Sequence, residues 1–196
     1  MLTAAEAQQG LASVTFRDEQ RWSQNLDFPS ITTTEVTAWA ASGCWTEDQE
    51  VPEPSGALGM RSVTAPNAHI GQVRQLAVFP DAAAAAAAFA DLRATIRGCQ
   101  AANTGLVQDG LSTEFVGGQL QLGDESFWTS DRQFAEQNED EPVLQHWSMA
   151  HVLVLDGNVI TVLAGPAGND SVRAKTVADL SAEWEQLRHQ YAPMLR

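Results

Sequence analysis

Lysine is almost missing from this 196-residue chain: Lys175 stands alone, and the other ten basic residues are arginine. Bases of both kinds are outnumbered, 11 against 25 acids, which leaves a formal net charge of −14. A field of that sign repels phosphate backbones and anionic headgroups, so nucleic acid and acidic membrane surfaces are poor candidate partners. No run of about 18 apolar residues exists, so no segment is built to cross a bilayer as a helix. The opening MLTAAEAQQG lacks both the basic and the apolar region of a signal peptide. A chain trimmed behind a signal or an anchor begins in the same way, so this start does not argue against export. Three motifs are absent as well. Without C-x-x-C there is no dithiol redox pair, without G-x-S-x-G there is no nucleophile elbow, and without D-x-D-x-D-G there is no EF-hand loop.

The apolar fraction is 44%, enough for an ordinary core, and the length suits one domain over residues 1–196. A short helix is expected over 2–11, with Thr3 as its cap, Glu6 at the capping-box spacing and Gly10 near its end. VTFRD (14–18) and EVTAWA (35–40) have strand character. The stretch 47–59, with two prolines and two glycines, is expected to be a loop. HIGQVRQLAVF (69–79) alternates like a strand, and Pro80 stops it. Asp81 then caps an alanine-rich helix. Alanine loses no side-chain entropy on entering a helix, so seven in a row favour it strongly. Ala82, Ala85, Phe89, Leu92, Ile96 and Cys99 form one stripe, alternately three and four residues apart.

After a glycine-rich stretch (105–123), GDESFWTSDRQF (123–134) is expected to be a strand entered through a turn, and 135–142 an acidic loop. The strongest local signal is HWSMAHVLVLDGNVITVLAG (146–165). Two β-branched runs flank Asp156-Gly157, a preferred hairpin turn, which would set Val154 opposite Val159 and Val152 opposite Thr161. Both faces of this hairpin are apolar, the pattern of central strands covered on both sides. Val177, Leu180, Trp184, Leu187 and Tyr191 mark a closing amphipathic helix, capped by Asp170 or Ser171 and ended by Pro193. The order of strands, helix, strands, helix gives an α+β fold: an antiparallel sheet with two main helices packed on one face.

Only two cysteines are present, Cys44 in SGCWTED and Cys99 on the buried stripe. They form one disulfide, remain two buried thiols, or include one reactive thiol. A bridge would pin the irregular first third of the chain to the alanine helix.

The succession LTAAE, GCW, AAAAFADLRATIRGC, GDESF and LVLDGNVITVL, closed by an amphipathic helix, resembles the actinobacterial PknH-like extracellular sensor domains and related surface lipoproteins over approximately 2–195. The resemblance implies a fold and an extracytoplasmic, cell-surface compartment, with a tether supplied by a lipid or by a membrane protein. It also implies a sensor or ligand-binding role without enzymatic activity. The mycobacterial kinase domain of this type has two disulfides, whereas this chain has cysteines for one, Cys44 with Cys99.

No catalytic constellation, metal site or cofactor is expected. His146 and His151, five apart on what is expected to be one strand, would point to opposite faces; His69 and His189 stand apart from them. Ser126 lacks the surroundings of a nucleophile, Asp124 and Glu125 are expected to shape a turn, and the acidic loop 136–141 is expected to be solvated. Six tryptophans against one tyrosine are a notable tilt, because indole suits binding pockets. Trp184 belongs to the helix stripe, while Trp45, Trp128 and Trp147 lie near turns or strand ends. A ligand pocket is expected near Trp128, Arg132, His146 and Trp147, with Arg132 pairing an anionic group. The partner would be a small molecule, a cell-wall component or a protein. The alternatives are a structural or protein-interaction module without a pocket, and a hydrolase using Asp124 and Glu125.

Overall fold

The computed structural model describes residues 1–17, 19, 31–33, 39, 53–65, 72–104, 107–108, 111–135, 145–146 and 149–196. Three α-helices are present among them: α1 (Ala4–Ser13), α2 (Ala82–Asn103) and α3 (Asp170–Tyr191). Nine strands are β1 (Ile31–Thr33), β2 (Gly59–Ala65), β3 (Gln72–Val78), β4 (Val107–Gln108), β5 (Leu111–Gln119), β6 (Glu125–Ala135), β7 (Gln145–His146), β8 (Met149–Asp156) and β9 (Val159–Pro166). They join in one antiparallel sheet in the order β1-β2-β3-β9-β8-β6-β5-β4, with β7 on β6.

The β8–β9 hairpin lies at the centre because both of its faces are apolar, and every residue from Ala150 to Leu155 is buried. Alternation then separates two cores. Val152, Val154, Val159 and Leu163 pack with Leu180, Trp184, Leu187 and Tyr191 of α3 and with Ala7 and Leu11 of α1. Leu153, Leu155, Ile160 and Val162 pack with Ala85, Phe89, Leu92 and Ile96 of α2. The fold is therefore α+β, an antiparallel sheet bearing two main helices, but the helices lie on opposite faces where one face was expected. An apolar hairpin has two surfaces to bury, and each helix carries a single stripe, so one helix is needed on each side.

Several local expectations hold. The Thr3–Glu6 capping box is complete. Asp81 Oδ1 accepts from the Ala84 N–H at 2.9 Å, and α2 buries Ala85, Phe89, Leu92, Ile96 and Cys99. Asp81→Ala is expected to lower stability by about 1 kcal/mol, measured as a shift in the urea midpoint at unchanged slope.

Other local expectations need correction. Gly10 lies in the last turn of α1, which runs on to Ser13, and the position is glycine because a Cβ there would fall 2.1 Å from Met194 Sδ. Val14 and Phe16 are buried but are not part of a strand. The Thr15 N–H donates to Gln190 Oε1 at 2.9 Å and the Thr15 carbonyl accepts from Gln190 Nε2 at 3.0 Å, so one side chain of α3 stands in for a neighbouring strand. The cap of α3 is Asn169, whose Oδ1 accepts from the Val172 N–H at 2.9 Å, not Asp170 or Ser171. The helix ends at Tyr191, and Pro193 sits in a 3-10 turn, Ala192–Met194.

The hairpin turn is Gly157-Asn158, one residue later than expected. Val154 therefore faces Thr161 and Val152 faces Leu163. Asp156 is drawn into the strand by burial: its carboxylate takes Arg188 Nε at 2.8 Å and the Tyr191 hydroxyl at 3.2 Å. Gly157, at φ 56°, makes the bend. Strand β5 runs through the glycine-rich stretch, to which no element was assigned from the sequence. Of 35–40 only Trp39 is described, and it is buried. Cys44, Trp45, His69, residues 136–141 and Trp147 lie outside the described residues.

Candidate functional site

Beyond Phe89, the residues of α2 lengthen and take on charge. Arg93, Arg97 and Gln100 face outward from the buried stripe and overhang β6 and β5. Gly117 on β5 leaves the sheet beneath α2 without side-chain cover, while its neighbour Gly118 faces the other side. A groove of about 220 Å³ results, lined from the helix by Arg93, Ile96, Arg97 and Gln100 and from the sheet by Gly117, Gln119, Phe127 and Thr129. Trp128 also borders it.

Most polar groups in the groove are tied to a neighbour. Arg93 forms an ion pair with Glu125, and its guanidinium carbon stands 5.3 Å from the centroid of the Phe127 ring, a cation–π contact. With its amide turned to satisfy both neighbours, Gln119 accepts from Arg93 Nη2 at 2.5 Å and donates to the Ser126 carbonyl at 3.1 Å. Gln100 donates to the Thr129 hydroxyl. Arg97 is exposed, and among the described residues no carboxylate lies in salt-bridge range of it. One arginine is thus neutralised in place and a second is available. In a chain of net charge −14, this makes a local positive site suited to a carboxylate, phosphate or sulfate.

The glycines are required by sterics. A Cβ at Gly117 would fall 2.6 Å from the Trp128 carbonyl oxygen, and one at Gly118 would fall 2.8 Å from the Trp128 indole nitrogen. Trp128 therefore spreads over Gly118 on the α3 side of the sheet, and the guanidinium of Arg173 sits 5.9 Å from its ring.

The expected pocket residues divide. Trp128 borders the groove. Arg132, four residues along β6, pairs with Asp170 at the start of α3 and lies 3.7 Å from Glu114. His146 lies on β7 opposite Gln133 and His151 on β8 opposite Thr129, and residues 147–148 between these strands lie outside the described residues. His151 is buried, and desolvation lowers its pKa to about 4. Asp131, buried near the same end of the sheet, has its pKa raised by desolvation and accepts from the Met149 N–H at 3.3 Å.

Asp124 and Ser126 serve the turn. Asp124 accepts from the Gly157 N–H at 2.7 Å, joining two bends, and Ser126 Oγ accepts from the Leu122 N–H at 3.0 Å. Glu125 is occupied by Arg93. Cys99 is disulfide-bonded. The two arginines and the glycine pair were not singled out in the sequence. The available signal was Arg93 and Arg97 four apart on the polar side of a helix whose other side is apolar.

A second cleft, of about 460 Å³, runs along the alanine half of α2 beside Trp39, Pro54 and Asp91. A third, of about 230 Å³, lies beside Arg74 and Glu183. No helix among the described residues is long and apolar enough to cross a membrane.

A sequence model of the PknH-like extracellular domain matches residues 32–183. None of the curated proteins matches the chain. Among solved structures, the crystal structure of the extracellular domain of PknH from Mycobacterium tuberculosis aligns at 11% identity, over 95% of this chain and 93% of that one, with a TM-score of 0.46.

Proposed function

The chain belongs to the PknH-like extracellular domain family and is extracytoplasmic, and on that premise we propose that it is a sensor or ligand-binding domain whose α2–β5–β6 groove takes an anionic group. On this reading the domain is not an enzyme, and it is held at the cell surface by a lipid or membrane anchor. One observation carries the ligand assignment: Arg97, uncompensated among the described residues, stands beside Arg93 over a glycine floor on a strongly acidic protein. The role of the Glu125–Arg93–Gln119 chain of contacts is to hold Arg93 before a ligand arrives, so that little side-chain entropy is lost on binding. Asp124, Glu125 and Ser126 are occupied with the turn and with Arg93, which leaves little support for a hydrolase.

Calorimetric titration with inorganic phosphate, and with sulfated and carboxylated glycans, at low salt tests the assignment. Arg97→Glu is expected to weaken binding at least about tenfold, with raised salt doing the same. Equal binding by the wild type and Arg97→Glu would place the anion elsewhere, and no binding of any anion by the wild type would remove the assignment.

The same compartment supports pairing of Cys99 with Cys44, the only other cysteine. Peptide mapping of the native protein under non-reducing conditions is expected to show that cross-linked pair and no free thiol.

A further inference from the structure

We propose that the outer edge of β5 is a strand-addition site, and that its occupant is an extended peptide carrying acidic side chains at alternate positions. This rests on the groove being an anion site and specifies what brings the anion there. Strand β5 pairs with β6 along its whole length, from Leu111 opposite Ala135 to Gln119 opposite Phe127. On its other side the described partner, β4, covers only Leu111 and Ser112. The Leu120 N–H donates to the Ser126 carbonyl, and hydrogen-bonding direction alternates along an antiparallel ladder. Val116 and Gly118 therefore turn their backbone groups to β6, whereas Thr113, Phe115 and Gly117 turn theirs outward. A row of outward N–H and C=O groups is a template for another strand. No proline or lysine interrupts it.

Parity selects the partner's side chains. Gly117 faces Thr129 and Gln119 faces Phe127, so the odd residues of β5 look toward α2. A strand added outside β5 continues that parity, and every second side chain meets the side of the sheet overhung by Arg93 and Arg97. A carboxylate at one of those positions completes the charge of Arg97, which has no carboxylate partner among the described residues, and Gly117 lets the incoming chain approach closely on that side. A second copy of β5 would offer Thr113, Phe115, Gly117 and Gln119 on that side, which include no acid, so a foreign acidic strand fits the edge better than self-pairing.

The test uses the whole chain and the peptide acetyl-TVEVEVT-amide, with two comparison peptides: one N-methylated at the alternate amides that would pair with β5, and one with lysine in place of glutamate. The parent peptide is expected to bind at least about tenfold more tightly than either. Arg97→Glu is expected to abolish the difference between acidic and basic peptides. Thr113→Pro removes one outward N–H away from the arginines. It is expected to weaken the peptide while leaving inorganic phosphate binding unchanged. Equal binding of the N-methylated peptide overturns strand addition but leaves the anion site standing, and failure of both peptide and phosphate overturns both. A reversible dimer in sedimentation that is dispersed by Thr113→Pro overturns the proposal in favour of a second copy at this edge.

Discussion

Glu183→Ala is expected to destabilise the domain by about 3–5 kcal/mol, seen as a fall in Tm of ~6–20 °C for a chain of this size. Glu183 lies inside the apolar stripe of α3, next to Trp184, and both residues are buried. Its two oxygens take Arg74 Nε at 2.6 Å and Nη2 at 2.8 Å, a bidentate pair, while Arg74 Nη1 donates to the Ala164 carbonyl at 2.5 Å. Removing the carboxylate takes from the buried Arg74 guanidinium its bidentate partner, and that is where most of the loss arises. The pair itself contributes little beyond what apolar residues would, because desolvating two charges consumes most of their attraction. The double variant Arg74→Met with Glu183→Leu is therefore expected to recover to within about 1–2 kcal/mol of the wild type. Additive losses in a double-mutant cycle, with no recovery, would show that Glu183 acts through packing alone.

Acid is expected to weaken the fold through His151. Its pKa is 6.5 in an ordinary setting and about 4 here, because burial penalises the charged ring. Above pH 6.5 the ring is neutral in both states and costs nothing. Between pH 6.5 and 4 the unfolded chain takes up a proton that the folded chain refuses, so stability falls as pH falls through that window. The loss attributable to His151 is roughly 2–3 kcal/mol by pH 4.5. Asp131 works in the opposite sense, since burial raises its pKa and the folded form binds its proton more readily. Its contribution offsets part of the loss at the acid end. Urea unfolding at pH 7 and pH 4.5 measures the difference, and His151→Asn is expected to flatten it. A variant as acid-sensitive as the wild type would assign the effect to other groups.

The elements legible in the sequence were those with one dominant period or one sharp signal. The alanine helix, its Asp81 cap and its stripe to Cys99 follow from propensity and spacing, and the central hairpin follows from two β-branched runs about a glycine. The hairpin register moved by one because Asp156 answers to Arg188 and Tyr191, partners more than thirty residues away that no local turn rule contains. Strand β5 was hidden by its own glycines, which lower strand propensity but are demanded by the Trp128 carbonyl and indole beneath them. Glu183 carries no local signal of its role, which depends on Arg74, contributed by β3. The site suffered most. Trp128 was singled out and does border the groove, but Arg93 and Arg97 become a site only once α2 is laid over β6 and β5. That placement depends on which face of the sheet the helix covers, and the sequence order suggested one shared face for both helices.

The position of β9 has a consequence for how the chain leaves the cell. It lies between β3 and β8, with Val78 opposite Val159. A polypeptide threaded outward with its N-terminus leading presents β2 and β3 long before their central neighbour emerges. The early hairpin then has an apolar flank and nothing to close against, and such distant pairings form slowly. Until the final quarter of the chain has emerged, β3 lacks the central neighbour that completes its sheet.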